Sequence, residues 1–573
     1  MPNAREGRCW PRLSTRFSDG GSKPSGTGGA SSGGSAGDAS VDASGGSAGA
    51  GNTGGTGGTS LVDAGDGSTG GSGGLPPQPD PTTCAEAATQ KSYVGCDFWP
   101  TVLANPVWSV FDFTVVVANG GKDPADVSVM KDGAVVTTAT VAPNGLTPLY
   151  LPWVDALKGP DSDTCASGTP PTASTLSAGG AYHLTATKPV TVYQFNPLEY
   201  QGTGGPSGKD WSSCPGNQPC AAQAGLPVGC FSFSNDASLL LPSTAMTGNY
   251  RVTSFPGWGA ESVPSYIGIT ATEDGTSFKV LVSGTGLIAQ GTGVTATSAG
   301  GVLTLSMDAG DVAELVGGTT STSDLSGSLV QADKPVQVIA GSSCMAIPNA
   351  AAACDHLEES VLPAETLGKH YFVTRPTGPY GQPVAHVVRI YGNVDDTKLS
   401  YPSGTPVGAP AFVNAGQVFD MGAVSTDFEI TGDHEFAIGT FQQGGSIVDP
   451  GALPGTRKGD PSQSQVIAQE QWRQKYIFIA PVDYDVSYLD AMMPLGAQVI
   501  LDGSALPIAP VAIGSSTIGV ARTPLPKNTG GVHLVGSDQP FGIQVVGYGR
   551  NTSYQYPGGL ALQGIAPPPP PIK

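Results

Sequence analysis

Basic side chains are scarce in this sequence, with 26 Lys and Arg against 46 Asp and Glu, a formal charge of −20 and no basic stripe. Phosphate backbones are held by clustered cations that release counterions, so nucleic acid is excluded as a partner. Long apolar runs are missing as well. A membrane-spanning helix needs about 20 consecutive apolar residues, and no such transmembrane segment occurs. The histidines number six, His183, His356, His370, His386, His434 and His533, and none forms a His-x-His or His-x-x-x-His pair. No Cys-x-x-Cys occurs either, which removes the usual zinc and iron patterns, so no metal and no cofactor are expected. Helical periodicity is nearly absent; only 463–474 reads as one or two helical turns. Residues 1–19 carry Arg5, Arg8, Arg12 and Arg16 without an apolar stretch of signal-peptide length, so no secretory signal is visible in the chain as written. Cys9 follows Gly-Arg rather than an apolar run, unlike a lipid-attachment cysteine.

Glycine (83) and proline (50) are abundant while charged residues make up 13%, a balance that favours short strands and many turns. Strands are read from alternating or continuous apolar runs such as Phe113-Thr114-Val115-Val116-Val117, Tyr266-Ile267-Gly268-Ile269-Thr270, His386-Val387-Val388-Arg389-Ile390 and Gln544-Val545-Val546. From about Gly20 to Pro81 the chain is nearly all Gly, Ser, Ala, Thr and Asp, too polar to offset the entropy of ordering. As a coil its ends would lie about 40 Å apart. It reads as a tether.

Three signposts recur in order beyond Cys84. A Leu-Pro segment leads to an opening strand, Leu241-Pro242 to Tyr250-Arg251-Val252 and Leu362-Pro363 to Tyr371-Phe372-Val373, with a looser copy from Ile467 to Tyr476-Ile477-Phe478. An acidic turn follows, at Asp132-Gly133, Asp274-Gly275, Asp395-Asp396 and Asp502-Gly503, as hairpins require. A closing strand then begins with a polar residue and often proline: Lys188-Pro189-Val190, Lys334-Pro335-Val336, His434-Glu435-Phe436 and Gln539-Pro540-Phe541.

The expected fold is therefore all-β, with four divergent tandem repeats built as β-sandwich-like modules; the alternative is a four-bladed propeller-like arrangement. The expected divisions are a disordered segment and Gly/Ser-rich tether at 1–83, repeat 1 with a Cys-rich insertion at 84–235, and repeat 2 at 236–356. Repeat 3 spans 357–460, repeat 4 spans 461–560, and a Pro-rich tail covers 561–573.

Eight of the nine cysteines fall between 84 and 354: Cys84, Cys96, Cys165, Cys214, Cys220, Cys230, Cys344 and Cys354. The even set and the absence of zinc spacing point to disulfides and an oxidising compartment. Cys344 and Cys354, ten residues apart across small residues, suit a bridge contributing about 2 to 3 kcal/mol.

No catalytic residue is assigned. Cys354-Asp355-His356 sets thiol, carboxylate and imidazole side by side, but neighbours on a strand face opposite ways, so a structural reading outweighs a nucleophilic one. A Gly-x-Ser-x-Gly match at 33–37 lies in low-complexity sequence without the strand and helix that a nucleophile elbow needs. The acidic pairs Asp161/Asp163, Asp395/Asp396 and Asp483/Asp485 lack the alternating ligands of a calcium loop and read as solvated turns. Trp99, Trp108, Trp153, Trp211 and Trp258 stand in turn-like contexts. They are candidate ligand-contact aromatics, with packing under long loops as the competing reading.

The segment 338–348, Val-Ile-Ala-Gly-Ser-Ser-Cys-Met-Ala-Ile-Pro, then Cys354-Asp355-His356-Leu357-Glu358-Glu359 and Leu362-Pro363, resembles the N-terminal domain of IgG-Fc-binding proteins. This is a secreted, mucus-associated family with relatives in bacteria. The resemblance runs from about Leu239 to Gly559 and implies an extracellular binding or adhesive module without a cofactor; Fc binding itself is not carried over. The resulting expectation is a tethered binding or adhesion protein, not an enzyme, at the outer cell surface or outside the cell. Its partner would be a protein or glycan, with a lipid or wall anchor upstream of the tether. A secreted carbohydrate-active enzyme and a structural coat component are the alternatives.

Overall fold

In the computed structural model, residues 80–573 are described apart from 221–227, 350, 352, 454 and 528–530. Residues 1–79 of the expected tether, and the match at 33–37, lie outside them. Asp80 pairs with Arg473, and Thr83 caps a helix at Cys84–Gln90 through a reciprocal box with Glu86. Strands account for 44% of the chain and helix for 6%, so the protein is all-β.

Each copy is a pair of face-to-face antiparallel sheets. In the second copy the outer sheet orders Val302–Met307, Thr276–Leu281, Leu329–Ala332 and Asn249–Arg251. The inner sheet orders Asp355–Ser360, Val336–Met345, Ser265–Ala271 and Val312–Val316, with Thr175–Ser177 of the first copy added at its edge. Between them lies an apolar core that includes Tyr250, Ile269, Phe278, Val280, Leu315 and Val338. The third copy repeats the plan around Tyr371, Ile390, Phe428 and Ile438.

The polar-proline signpost marks the crossing from one sheet to the other. In the first copy one strand, His183–Phe195, runs through it: residues before Lys188-Pro189 pair with Val127–Met130 and residues after it with Thr114–Ala118. In the fourth copy Val532–Gly549 does the same across Gln539-Pro540. In the second and third copies the crossing separates two strands, at Lys334-Pro335 and His434-Glu435. Proline is tolerated there because its missing N–H falls where neither ladder needs a donor.

The tyrosine signpost is a repeated bracket. The Tyr250 hydroxyl accepts from Thr247 N (3.2 Å) and donates to Val336 O (2.6 Å). Tyr371 accepts from Gly368 N (3.1 Å) and donates to Phe436 O (2.5 Å). Tyr476 accepts from Arg473 N (2.8 Å) and donates to Phe541 O. Each buried phenol therefore ties the opening strand to the start of the inner closing strand.

Two expectations are corrected. The acidic turns are not equivalent across the copies: Asp274-Gly275 and Asp395-Asp396 link an inner to an outer strand, whereas Asp132-Gly133 and Asp502-Gly503 close outer hairpins one connection later. Positive φ recurs at both kinds of site, which is why the residues look alike. Segment 463–474 is not helical but a short inner strand, Gln463–Gln465, and one 3₁₀ turn, Gln469–Gln471. The strand's glutamines are recruited by the centre described below.

The four copies close into a ring, a four-blade propeller-like arrangement of sandwiches. Thr101 meets Thr270 and Ala104 N donates to Glu314 between the first and second copies. Arg389 of the third reaches Ser254 O and Asp324 of the second. Thr377 of the third donates to Asp490 of the fourth. Tyr193 of the first donates to Ile477 O of the fourth, and Tyr93 N to Leu560 O. The strand after each closing strand pairs with it and points to the middle: Ala237–Leu240, Asp355–Ser360, Gln463–Gln465 and Thr552–Pro557. The Pro-rich tail runs back over the copies, accepting from Gln331 at Pro569 O and donating to it from Ile572 N.

Candidate functional site

Register puts the long loops on one face. The two middle strands of each inner sheet pair so that Thr114 faces Phe195, Ser265 faces Ser342, His386 faces Gln442 and Val486 faces Tyr548. Loops leaving those ends emerge together, among them 252–264, 374–385, 480–485 and the described residues of 196–236, 346–354 and 443–462. They are cross-linked: Gly444 N donates to Ile347 O (2.8 Å), Asn551 N to Arg457 O (2.8 Å), Tyr200 N to Asp483 (2.7 Å) and the Trp258 indole to Asn349 O (3.0 Å). Loops are where recognition residues usually sit on a rigid scaffold.

The eight cysteines form four disulfides, three of them on this face. Cys165–Cys220 and Cys214–Cys230 staple the insertion of the first copy, and Cys344–Cys354 closes the loop over the second. Cys84–Cys96 ties the amino-terminal helix to the first strand.

The tryptophans are packing residues rather than exposed platforms. Trp108 and Trp211 join Phe111, Val107 and the Cys214–Cys230 bridge in a small core under the loops, and half-buried Trp153 packs against it. Trp258 is 1% exposed. Trp99, buried away from this cluster, stacks on His183 at 4.1 Å. The tryptophans' turn-like contexts in the sequence did not show which of them pack under the loops. The apolar side chains that do reach solvent on this face are Val228, Tyr380, Ile447, Leu453 and Val482. Tyr380 is 64% exposed, its hydroxyl donates to Asp449 (3.1 Å), and Lys458 stands 5.8 Å over its ring.

Beneath the loops the four central strands enclose a polar centre. Glu358 accepts from Gln194 (2.6 Å), Asn196 (2.7 Å) and Ser238 (3.0 Å). Asp236 accepts from the backbone N–H groups of Ala237 (2.9 Å), Gln463 (3.0 Å) and Glu358 (3.1 Å). Asp355 accepts from His356 N (2.8 Å) and the Thr552 hydroxyl (2.9 Å). Burial holds Asp236, Asp355, Glu359 and Asp460 well above the usual carboxylate range. Burial likewise pushes Glu314 up to about 8. Sequence reading missed Asp236, Glu314, Glu358, Glu359 and Asp460, because a carboxylate in a short polar strand looks solvated until its neighbours are known.

The Cys354-Asp355-His356 triplet does not assemble as a catalytic group. Cys354 is disulfide-bonded, Asp355 turns to Thr552, and His356 lies 3.5 Å from Glu358. The acidic turns cap backbone amides: Asp161 receives Ser109 N, Asp163 receives Cys165 N and Asp395 receives Ala415 N. Among the described residues no three His, Cys, Asp or Glu side chains converge as a metal cluster, and no helix is long and apolar enough to cross a membrane. A shallow depression of about 620 Å³ lies on the outer sheet of the first copy, lined by Asp126, Ser128, Thr138, Thr140 and Thr185.

These features define a disulfide-stapled, all-β scaffold that presents a loop-built face. The family described as IgGFc binding protein matches residues 236–547, more than half of the sequence, and the chain belongs to that family. The IgGFc-binding protein of Homo sapiens is 31% identical over 190 residues, 32% of this chain and 3% of the human protein, so the match spans a small part of that relative's length. An anti-sigma factor domain-containing protein from Clostridium clariflavum aligns over 56% of this chain and 83% of its own, at 12% identity and a TM-score of 0.10, too low to bear on the fold.

Proposed function

We propose that this chain is an extracellular or cell-surface binding and adhesion protein, not an enzyme, whose loop-built face takes a protein or glycan ligand. Family membership over residues 236–547 is the observation that carries this reading. The four disulfides agree with an oxidising compartment. The exposed side chains Tyr380, Leu453 and Val482, set among polar loops, have the character of interface anchors. In this reading the segment before residue 84 holds the ring away from an anchor, and the repeats divided near 235, 356 and 460 act as one display platform. The human relative is named for IgG Fc, which makes Fc the first protein to assay beside glycans.

The test is binding of the full-length chain to immobilised Fc, a glycan array and intact cells or mucus from its native setting. Saturable binding to one of these supports the proposal. Turnover of a polysaccharide without saturable binding overturns it.

A further inference from the structure

The loop face is floored by two fully buried carboxylates, Asp355 and Asp460. Asp460 is fully buried, and neither of its carboxylate oxygens has a hydrogen-bond partner. Asp355, also fully buried, is linked to it through Ser553, whose N–H donates to Asp355 Oδ2 and whose hydroxyl donates to Asp460 O; its other donors are His356 N and the Thr552 hydroxyl. Asp236 and Glu358, a short distance along the same strands, collect three strong donors each. Asp460 therefore stands apart as the acid of this centre with neither oxygen bonded, and Glu359 has one oxygen in the same condition. No ion pair to Lys, Arg or His includes Asp355 or Asp460 among the described residues.

Several neutral oxygens lie near the pair. The Asn235 side-chain carbonyl lies 3.2 Å from the Thr552 hydroxyl, which is itself 2.9 Å from Asp355 Oδ2. The Tyr484 hydroxyl is buried, with Thr552 and Asp355 among its neighbours. On the other side, a Cβ built on Gly444 would stand 3.3 Å from Asp460 Oδ1 and 3.6 Å from Ile347 O, so this glycine leaves room beside the carboxylate. Hard divalent cations are bound by such sets, and calcium takes six to eight oxygens from carboxylates, amide and backbone carbonyls, hydroxyls and water. Two carboxylates match the charge of one divalent ion.

We propose that Asp355 and Asp460 hold one buried calcium ion, its shell completed by neutral oxygens from Asn235, Thr552 and the loop backbone. Residues from all four copies meet there: Asn235, Asp355 with Ile347, Asp460 with Gly444, and Thr552 with Ser553. The ion would lock the loop face to the ring from below, and the Cys344–Cys354 bridge would hold one ligand segment in place.

The experiment is metal analysis and thermal melting of the full-length protein, purified without chelator, then treated with EDTA and titrated with calcium or magnesium. One calcium per chain, removed by EDTA, and a midpoint raised by several degrees in calcium but not in magnesium are the expected results. Asp460→Asn should lose the calcium response while melting in EDTA no lower than the wild type, because one of two facing charges is gone. A metal-free chain whose midpoint ignores calcium would overturn the proposal and leave a shared proton as the way the pair is neutralised. So would an equal response to magnesium. If Asp460→Asn does not fold, the wild-type metal content and calcium shift still decide.

Discussion

Replacing Tyr371 by Phe tests the bracket that recurs in three copies. The ring stays and no cavity forms, so the change isolates one hydroxyl. That hydroxyl accepts from Gly368 N and donates to Phe436 O, and Tyr371 is 1% exposed, so water cannot replace it. Each intramolecular hydrogen bond is worth about 1 kcal/mol net, and a buried group left unpaired costs about 1 to 3 kcal/mol. Loss of both bonds should therefore destabilise the third copy by about 2 to 4 kcal/mol. A ring of four copies need not melt in one step, so calorimetry should be paired with amide exchange: the transition that includes this copy should fall by several degrees and Gly368 N–H should lose protection. Tyr250→Phe and Tyr476→Phe should behave alike at Thr247 and Arg473, because the bonding is the same. A midpoint unchanged in all three, with protection kept at those amides, would refute the bracket as a structural element.

Further outcomes follow from other parts of the ring. Glu314 has a folded pKa of about 8, above its unfolded value, so its contribution is complete below about pH 4.5 and is lost as pH rises towards 8. Asp490, pushed up to about 6, acts in the same direction over a lower window. Melting points should fall between pH 5 and pH 8, and Glu314→Gln, which can still accept from Ala104 N, should flatten that slope; an unchanged slope contradicts the assignment. Arg389→Met strips the partner from Asp324 at the junction of the second and third copies and should cost about 3 to 5 kcal/mol, read as a lower melting point. Opening Cys344–Cys354 by a double serine substitution should cost about 2 to 3 kcal/mol, and limited proteolysis should cut between the two positions.

The strands, the four copies and the disulfide-bearing character were legible because they rest on local pattern: apolar runs, turn residues and an even cysteine set. Lys188-Pro189 and Gln539-Pro540 were visible as landmarks, but their role as sheet crossings depends on which partners flank them, and that pairing is non-local. Ring closure depends on contacts such as Tyr193 to Ile477, nearly three hundred residues apart, which no periodicity encodes. The helix at Cys84–Gln90 had a readable signature, Thr83 followed three residues on by Glu86, and was passed over because its apolar face is short. The candidate face was half legible: its cysteines and tryptophans were singled out, yet the indoles are largely buried and the exposed apolar side chains there include Tyr380, Leu453 and Val482. The acidic centre was hidden because Asp355, Glu358 and Glu359 share a six-residue strand that looks solvent-facing by composition.

Whether the loop-built face is the recognition surface of an extracellular binding protein is decided by comparing two variants for cell or glycan binding. One carries Tyr380→Ala and Leu453→Ala on the loop face. The other carries Val407→Ala and Phe412→Ala, exposed apolar residues on the outer side of the third copy. The first should lose at least tenfold in affinity, about 1.4 kcal/mol, with an unchanged melting point, and the second should bind as the wild type does. Full binding by the first and loss by the second would contradict that role for the face.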